Sequence, residues 1–322
     1  VVGHEKEAEL IMKYVMTEAV APEGMALLDQ SEKVYVAHDA NPANYTEEMK
    51  DADALIVRAA PAKIVNKAVM EAAPQLKVIG RTGVGYDSVD VDAATELGIP
   101  VVITPGANNR AVAEHSLTLM LALSKNLVEA QVEASKGNWA IRDAHKQFEL
   151  YGKKAGIIGL GRIGVNTAKI LKAMNVNVIA YDAFQSEAGK AVADYVELDE
   201  LLAKSDFIFL HCPLFAENRH MICRASIEKM KDGVLLINNS RGGLVVDQDL
   251  ADALNSGKIA GAGLDAIETE PIAMDNPLLS AKNCVITPHI SWAALECRRR
   301  LQQTAIENVR AYLAGACINV VC

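Results

Sequence analysis

The sequence predicts an α/β protein made of two doubly wound domains, each built on a mostly parallel sheet. From about residue 153 onward, short aliphatic and β-branched runs alternate with segments of helical periodicity. The first hundred residues repeat this alternation on a smaller scale. The runs are apolar throughout, as in strands that helices cover on both faces. Alternation of this kind favours parallel sheets with helices packed on both sides.

The candidate strands and helices follow from these runs. In chain order, the strands are predicted at 54–60, 76–82, 99–105, 154–160, 175–182, 206–214, 233–240, 261–267 and 283–290. Helices are predicted between most of them, including 164–174, 197–205 and 248–257. The segment 109–139 has apolar residues at three- and four-residue steps, which predicts one long helix between domains or subunits.

Composition and charge exclude several classes of protein. The chain has 322 residues, of which 51% are hydrophobic, and this is enough for a sizeable core. Its apolar runs are shorter than the roughly 20 residues of a membrane span, and the first residues lack a signal-peptide pattern, so we expect a cytoplasmic protein with no membrane partner. The formal net charge of -9 opposes nucleic-acid binding. The six cysteines show neither metal-ligand nor disulfide spacing, and no metal is expected.

A glycine motif provides the first functional signal. Gly159, Gly161 and Gly164 lie between a candidate strand and a helix, and Asp182 ends the next strand. The first glycine allows a tight turn, the second lets a pyrophosphate approach the backbone, and the third lets helix and strand pack closely. Asp182 would bind the ribose hydroxyls and repel a 2′-phosphate. The motif therefore predicts NAD as cofactor, and the alternative is a tight turn with a solvated aspartate.

Polar side chains lie at three later strand ends, which should converge on the ligand crevice of an open α/β sheet. Arg241 could hold a carboxylate through two parallel hydrogen bonds and polarise a neighbouring carbonyl. His289 could exchange a proton while Glu270 orients its ring, and Asp265 precedes Glu270. Singly, Arg241 could lie on a surface turn, His289 could be a core histidine and Glu270 could be a solvated loop carboxylate. Together, they suit hydride transfer between nicotinamide and a small 2-hydroxy or 2-oxo acid.

Five longer motifs extend this interpretation: GLGRIG with Asp182, NNSRGGLVVD, GAGLDAIETEP, NPLLSAKNCVITPHIS and VIGRTGVGYDSVD. With them, the sequence from about residue 13 to its end resembles the D-isomer-specific 2-hydroxyacid dehydrogenase family. The resemblance implies that Arg241 binds the substrate carboxylate and carbonyl and that His289 is the acid/base. It also implies that Glu270 rather than Glu268 is the acidic partner, because Glu270 precedes a proline.

The resemblance implies further contacts with cofactor and substrate. The implied cofactor contacts are Arg162 and Ile163 at the pyrophosphate, Cys212 and Pro213 on the adenine side, and Ser240 and Asp265 at the nicotinamide end. The implied substrate contacts are the backbone of Val84 and Gly85, with Arg58 and Arg81 nearby. A phosphorylated substrate would need additional cations, for which Arg142 and Lys146 are candidates.

The resemblance also implies an architecture and a range of substrates. A discontinuous substrate domain, 1–103 plus 291–322, would flank an NAD-binding domain at 104–290, and the chain would form a homodimer through the long helix. The most similar subgroups are 3-phosphoglycerate dehydrogenases, favoured by GRTGVG, and glycerate or hydroxypyruvate reductases, favoured by HISWAALE. The regulatory domain of longer phosphoglycerate enzymes is not expected, and the first dozen residues have no counterpart in the family.

Two other functions are possible on the same fold. An NAD(H)-sensing corepressor could keep the Arg, Glu and His residues, but it would carry an extended partner-binding surface and tails. A formate or phosphite dehydrogenase is the second possibility. Formate enzymes have Gln where Glu270 stands, so the carboxylate argues against that branch.

Overall fold

The computed structural model describes residues 11–58, 63–144 and 147–322. The chain divides into two compact units. The first consists of the described residues up to Asn108 together with Ala294–Cys322, and the second is Asn109–Ala293. Most of the N-terminal dozen, and Lys146, lie outside the described residues. Each unit contains a parallel sheet, which confirms the predicted fold class.

The first unit is built on a five-stranded sheet in the order β2-β1-β3-β4-β5. Its strands are β1 (Lys13–Met16), β2 (Lys33–Val36), β3 (Ala54–Val57), β4 (Val78–Arg81) and β5 (Val101–Val102). Its helices are α1 (Pro22–Met25), α2 (Lys67–Glu71), α3 (Val91–Glu96) and the C-terminal helix Leu295–Leu313. Alternate strand residues enter different cores: Leu55 packs on one face of the sheet, whereas Ile56 packs on the other with Ile306 of the C-terminal helix.

The second unit is built on a seven-stranded sheet in the order β12-β11-β10-β9-β6-β7-β8. Its strands are β6 (Lys154–Ile158), β7 (Asn177–Tyr181), β8 (Asp194–Tyr195), β9 (Phe207–Leu210), β10 (Val234–Asn238), β11 (Ile259–Leu264) and β12 (Cys284–Ile286). Its helices are α4 (Asn109–Ser124), α5 (Leu127–Ser135), α6 (Arg162–Ala173), α7 (Glu187–Lys190), α8 (Leu198–Lys204), α9 (Arg224–Lys229) and α10 (Asp247–Ser256).

The strand order of the second unit determines where a ligand can bind. From β6 the chain adds β7 and β8 on one side, then crosses to add β9 through β12 on the other. Ligands of open α/β sheets bind at such a switch point, outside the carboxyl ends of the strands. Helix α6 starts directly after β6 and buries Gly164, Thr167, Ala168 and Leu171, which share one helix face. The predicted glycine motif therefore lies at the switch point.

The predicted strands are all present, although most are shorter than their apolar runs. Three strands were missed: β1, β2 and β8. Residues of β2 are half-buried or exposed because this strand lies at the sheet edge, and β8 has only two residues. The edge strands β2 and β8 therefore lack the continuous apolar pattern on which the other predictions depended. Strand β1 lies between β2 and β3, and its short run of three buried residues was not recognised.

The prediction of one long helix over 109–139 was wrong. Helix α4 ends at Ser124 and α5 begins at Leu127, and Asn126 between them adopts a left-handed conformation with φ of 51°. Asparagine tolerates this conformation because its short polar side chain can hydrogen-bond locally. The Asn126 amide donates to Glu129 at 3.3 Å. Within the described ranges, no helix has both the length and the apolar character needed to cross a membrane.

Candidate active site

The three motif glycines of the second unit have distinct structural roles. Gly159 has a φ of +95°, and a Cβ there would lie 2.4 Å from the backbone nitrogen of Cys212. A Cβ at Gly164 would lie 2.3 Å from the carbonyl oxygen of Gly159. At Gly161, by contrast, a Cβ would meet open space. These are the turn, the close packing and the accessible backbone that a dinucleotide pyrophosphate requires, so the loop fits NAD.

Helix α6 begins immediately after this loop. Gly161 is its N-cap, no described side chain caps it, and Arg162 and Ile163 form its first turn. The N–H groups of a first turn have no partner inside the helix and, together with the helix dipole, favour a bound phosphate. The predicted pyrophosphate contacts of Arg162 and Ile163 are therefore placed on a suitable element.

Asp182 follows β7 and is held in one orientation by backbone donors. Leu160 N–H donates to Asp182 Oδ2 at 2.7 Å, and Phe184 N–H donates to Oδ1 at 2.9 Å. The first of these bonds ties the carboxylate to the glycine loop. Each carboxylate oxygen can accept more than one hydrogen bond, so ribose hydroxyls could still bind. A fixed negative charge at this position would also repel a 2′-phosphate.

His289 and Glu270 form a direct pair. The distance between His289 Nδ1 and Glu270 Oε2 is 2.8 Å, and the other carboxylate oxygen, Oε1, accepts a 3.1 Å hydrogen bond from Ile267 N–H. The hydrogen bond to Glu270 is the main cause that raises the pKa of His289, while burial lowers it. With Nδ1 bound to the carboxylate, Nε2 is the ring nitrogen left to exchange a proton with a substrate.

Arg241 lies on the turn that follows β10. Its guanidinium donates to the carbonyl oxygen of Ser240 at 2.9 Å, and its positive charge acts to lower the pKa of His289. The next residue, Gly242, has no room for a side chain: a Cβ there would lie 1.9 Å from the carbonyl carbon of Ile267. The loop carrying Arg241 therefore packs directly against the loop carrying Glu270, and the structure brings Arg241, Glu270 and His289 together.

Asp265 has a structural task that the sequence did not reveal. Its carboxylate is 1% exposed and accepts hydrogen bonds from the Thr287 hydroxyl at 2.6 Å and from the backbone N–H groups of Ile290 and Ser291 at 2.8 Å each. These bonds hold the loop around His289, whose φ of 53° is left-handed. The predicted contact of Asp265 with nicotinamide is not tested and stays a prediction.

Two further residues that hold the loop around His289, Thr287 and His115, were also not predicted from the sequence. Thr287 lies 3.0 Å from Nε2 of His115, which comes 172 residues earlier on α4. Because the Thr287 hydroxyl uses its hydrogen for Asp265, the imidazole is the donor of the pair. No local spacing signals a contact over this sequence distance.

The turn before Arg241 is shaped by a buried amide. Asn238 is fully buried, donates to the Arg241 carbonyl oxygen at 3.0 Å and accepts from Ser240 N–H at 3.0 Å. The Ser240 hydroxyl donates to the Cys212 carbonyl oxygen. Burial raises the pKa of the Cys212 thiol to about 11, so this thiol stays neutral beside the glycine loop. Pro213 follows, and its carbonyl oxygen accepts from Asn218 at 2.8 Å.

The predicted substrate residues Arg58, Arg81, Val84 and Gly85 belong to the first unit. Arg58 follows β3 and forms an ion pair with Glu18. Arg81 ends β4, and its guanidinium donates to the Thr82 carbonyl oxygen. Val84 is 38% exposed and Gly85 half-buried on the turn after this strand. Their contact with substrate stays a prediction.

The two other cations predicted as candidates for a phosphorylated substrate are Arg142 and Lys146. Arg142 is in the second unit, is 77% exposed and pairs with Asp143 at 3.4 Å. Lys146 lies outside the described residues. No group of three or more His, Cys, Asp or Glu side chains suited to a metal ion occurs in the part of the chain that the structure describes. All six cysteines are free thiols.

Comparisons with known proteins show which family the chain resembles. The family model described as "D-isomer specific 2-hydroxyacid dehydrogenase, NAD binding domain" matches residues 117–291. The chain is 46% identical over 277 residues to a hydroxypyruvate reductase of Blautia hydrogenotrophica, a match that covers 84% of this chain and 85% of the relative. It is 39% identical over 310 residues to a D-3-phosphoglycerate dehydrogenase of Methanocaldococcus jannaschii, a match that covers 95% of this chain.

The second of these relatives is much longer, since the match spans only 58% of it. Among solved structures, the TT0316 protein from Thermus thermophilus superimposes with a TM-score of 0.85 at 32% sequence identity. That match covers 97% of this chain and 100% of the other. The similarity therefore includes both units and is not limited to the residues that match the family model.

Proposed function

The chain belongs to the D-isomer-specific 2-hydroxyacid dehydrogenase family, and from that premise we propose that it reduces hydroxypyruvate to D-glycerate with NADH. Membership of the family makes it an NAD-dependent oxidoreductase acting on a 2-hydroxy or 2-oxo acid. The observation that carries the proposed mechanism is the His289–Glu270 pair at 2.8 Å, with Arg241 beside it. This arrangement supplies a proton donor and a carboxylate-binding cation at one strand-end cluster.

In the proposed mechanism, Arg241 binds the substrate carboxylate through two hydrogen bonds and polarises the C2 carbonyl. When held by the glycine loop, NADH would supply the hydride for C2. His289 donates the proton from Nε2 to the carbonyl oxygen, so that the ketone becomes a secondary alcohol. Glu270 keeps the imidazole charged before this step and fixes its orientation through Nδ1. The neutral imidazole left afterwards is the base for the reverse oxidation.

The residues of the glycine loop would hold the cofactor. We assign the pyrophosphate to Gly161, Arg162 and Ile163, because the backbone is accessible there and α6 begins there. Asp182 would bind the adenosine ribose and select NAD over NADP, since its carboxylate is already fixed in place by backbone donors. The adenine side is assigned to Cys212 and Pro213, and the nicotinamide end to Ser240 and Asp265, as the family resemblance implies.

Charge pairing of two candidate phosphate-binding cations, Arg58 and Arg142, supports a substrate without phosphate. Arg58 forms an ion pair with Glu18, so its positive charge is compensated. Arg142 in the second unit is likewise paired, with Asp143. A phosphate group would need several cations whose charge is not already balanced. The identity to phosphoglycerate dehydrogenases keeps 3-phosphohydroxypyruvate as the second candidate substrate.

We propose that the first unit is the substrate domain and that the enzyme is a cytoplasmic homodimer. Arg58, Arg81 and the backbone of Val84 and Gly85 are then the substrate contacts of that unit. Support for a dimer comes from α5, where Leu127, Val128 and Val132 are between 47% and 59% exposed. Exposed apolar side chains on one helix are typical of an interface. Light scattering of the purified protein tests this, because a monomeric mass would contradict it.

The first experiment follows the loss of NADH absorbance with hydroxypyruvate, glyoxylate, pyruvate and 3-phosphohydroxypyruvate, and repeats each assay with NADPH. The highest kcat/KM for hydroxypyruvate with NADH is expected. A preference for the phosphorylated acid would contradict the proposed substrate and assign a phosphate site to the first-unit arginines. NADH binding without turnover of any acid would contradict the enzymatic function and favour the corepressor alternative.

A variant sharpens the choice between the two substrates. Glu18→Gln removes the carboxylate that pairs with Arg58 while keeping the size of the side chain. If Arg58 faces substrate, the loss of the Glu18 negative charge should lower the KM for 3-phosphohydroxypyruvate more than the KM for hydroxypyruvate. Lys50 pairs with Glu47 on the surface of the same unit, so Glu47→Gln is a matched control expected to change neither value.

A further inference from the structure

A second carboxylate–imidazole pair lies two residues from the catalytic one. The Glu268 carboxylate oxygen Oε1 lies 2.8 Å from His220 Nε2 and also accepts a hydrogen bond from the Arg219 guanidinium. The Glu268 side chain is 27% exposed, less than either partner. Neither the proposed mechanism nor the cofactor site uses these three residues, although they are part of the same loop cluster.

The segment that carries Arg219 and His220 is joined to the segment that follows Arg241. His220 N–H donates to the Gly243 carbonyl oxygen at 2.8 Å, and Ile222 N–H donates to the Leu244 carbonyl oxygen at 2.9 Å. Ile222 also forms a parallel bridge with Val245. Residues 219–222 are therefore fixed to the backbone of the Arg241 loop.

The segment that carries Glu270 packs against the same loop. A Cβ at Gly242 would lie within 2.2 Å of backbone atoms of both Ile267 and Glu268, so the two backbones are in direct contact there. At Gly243, a Cβ would lie 3.2 Å from the Arg219 guanidinium. Glu268 thus lies where the loops of Arg241 and Glu270 meet, and its carboxylate binds Arg219 and His220 of the segment 219–222.

We propose that Glu268 is a positioning residue, which with Arg219 and His220 fastens the Glu270 segment onto the segment that follows Arg241. It acts through its neighbour Ile267, whose N–H donates to Glu270 Oε1 at 3.1 Å. That bond sets the rotation of the Glu270 carboxylate and therefore its contact with His289. The proposal rests on the proposed function for its kinetic consequences, but the geometry of the Glu270–His289 pair can be tested without substrate.

The charged groups around the Glu268–His220 and Glu270–His289 pairs determine which pKa values a change at Glu268 would affect. Glu268 faces Arg219 and His220, and the Asp247 carboxylate is close enough for Glu268 to contribute to raising the pKa of Asp247, whose main cause is burial. His289 faces Glu270, Asp265 and Arg241. Since the described contacts of Glu268 do not include His289, its neutralisation should affect His289 only by moving Glu270.

The test is Glu268→Gln, which keeps the size of the side chain and removes its charge. The imidazole of His289 is titrated by NMR in the cofactor-free protein, with its signal assigned by comparison with His289→Gln. The expected result is a fall of the His289 pKa toward its ordinary value near 6.5. In the reduction assay, kcat should fall roughly tenfold to hundredfold above that pH. The dissociation constant for NADH, measured by fluorescence, should not change.

Two additional variants separate positioning from folding. Arg219→Met removes the Arg219–Glu268 contact from the other side. The double variant with Glu268→Gln should lower the His289 pKa and kcat no further than Glu268→Gln alone. Asp199→Asn is the matched control, because Asp199 pairs with Lys229 at 2.8 Å between two other helices and the charge change is the same. It should leave the His289 titration and kcat unchanged.

An unchanged His289 pKa in both Glu268→Gln and Arg219→Met would overturn the proposal, whether or not these variants are less stable. This outcome differs from failure of the proposed function. If the unmodified protein reduces no 2-oxo acid, the function is wrong, yet the NMR titration still decides whether Glu268 positions Glu270.

Discussion

Glu270 determines the protonation state of His289, because its carboxylate is hydrogen-bonded to Nδ1 at 2.8 Å and is the largest cause of the raised pKa. In the proposed mechanism, reduction needs the charged imidazole of His289 as acid. Between the ordinary value near 6.5 and the raised value, the imidazole is charged in the unmodified protein but would be largely neutral without Glu270. In the proposed mechanism, this single contact therefore extends the pH range of reduction upward.

Glu270→Gln is expected to lower the His289 pKa and to shift the pH profile of kcat/KM for reduction to lower pH. General acid catalysis contributes about 10² to 10⁴ in rate, so His289→Ala should lose activity by that factor, and Glu270→Gln should lose activity mainly above the shifted pKa. The measurement is kcat/KM against pH for both variants, with NADH affinity measured by fluorescence as the control. A pH profile identical to that of the unmodified enzyme would contradict the assignment of Glu270.

At the scale of elements, the glycines between β6 and α6 belong to one sequence motif but have different structural roles. A methyl group at Gly161 would meet open space, whereas one at Gly164 would meet the Gly159 carbonyl oxygen at 2.3 Å. Gly161→Ala should therefore weaken NADH binding with little effect on stability. Gly164→Ala should destabilise the fold by about 1–3 kcal/mol, because overpacking forces the helix away from the strand.

These two variants form a matched pair, since each adds one methyl group to the segment from the N-cap of α6 to its first turn. NADH affinity is measured by fluorescence titration and stability by urea unfolding. Equal losses of stability in both variants would show that Gly161 is packed, and the assignment of the pyrophosphate to its backbone would fail.

A second prediction at this scale concerns the loop after β12. The Thr287 hydroxyl donates to the buried Asp265 carboxylate at 2.6 Å, and that carboxylate also holds Ile290 and Ser291. Thr287→Val keeps the shape but removes one donor from a buried charge, which should cost about 1–3 kcal/mol of stability. It should also lower kcat, because the His289 loop loses part of its anchor. Thr287→Ser retains the hydroxyl and should behave like the unmodified protein in both assays.

The elements also show why only part of this site could be predicted from sequence. Gly159, Gly161, Gly164 and Asp182 form a local motif whose spacing follows from one strand–turn–helix unit. Asn126, by contrast, interrupts a helix whose apolar periodicity continues on both sides of it, and its left-handed φ of 51° leaves no mark in that pattern. Local sequence patterns therefore predict a motif of fixed spacing, such as the glycine loop. They do not predict a helix break that depends on the conformation of a single residue.

At the scale of the whole molecule, the same limit applies to contacts between distant segments. Arg241, Glu270 and His289 could be placed together because the carboxyl ends of parallel strands share one edge of the sheet. The hydrogen bonds that hold the surrounding loops in place could not be predicted. His115 reaches Thr287 across 172 residues, and His220 reaches Glu268 across 48. Such pairs depend on how loops pack, which neither periodicity nor motif spacing encodes.

A buried histidine makes the stability of the second unit depend on pH. His211 follows β9, and its ring Nε2 lies 3.0 Å from the Thr167 hydroxyl of α6. Its Nδ1 is buried without a hydrogen-bond partner among the described residues. Desolvation lowers the pKa of His211 from 6.5 to about 4. The folded state therefore favours the neutral ring. The resulting stability is complete above the unfolded pKa and is lost as pH falls from 6.5 toward 4.

The expected result is a free energy of unfolding that falls by up to about 3 kcal/mol more in the unmodified protein than in His211→Gln, between about pH 7.5 and about pH 4.5. Glutamine keeps a neutral polar group at this position but cannot be charged by acid. Both tryptophans of the chain, Trp139 and Trp292, belong to the second unit, so their fluorescence during urea unfolding reports on the unit that contains His211. Carboxylates that titrate in this range affect both proteins alike, and the comparison isolates the histidine. Parallel stability curves for the two proteins would show that His211 is charged in the folded state without cost, and the buried-histidine explanation would then be wrong.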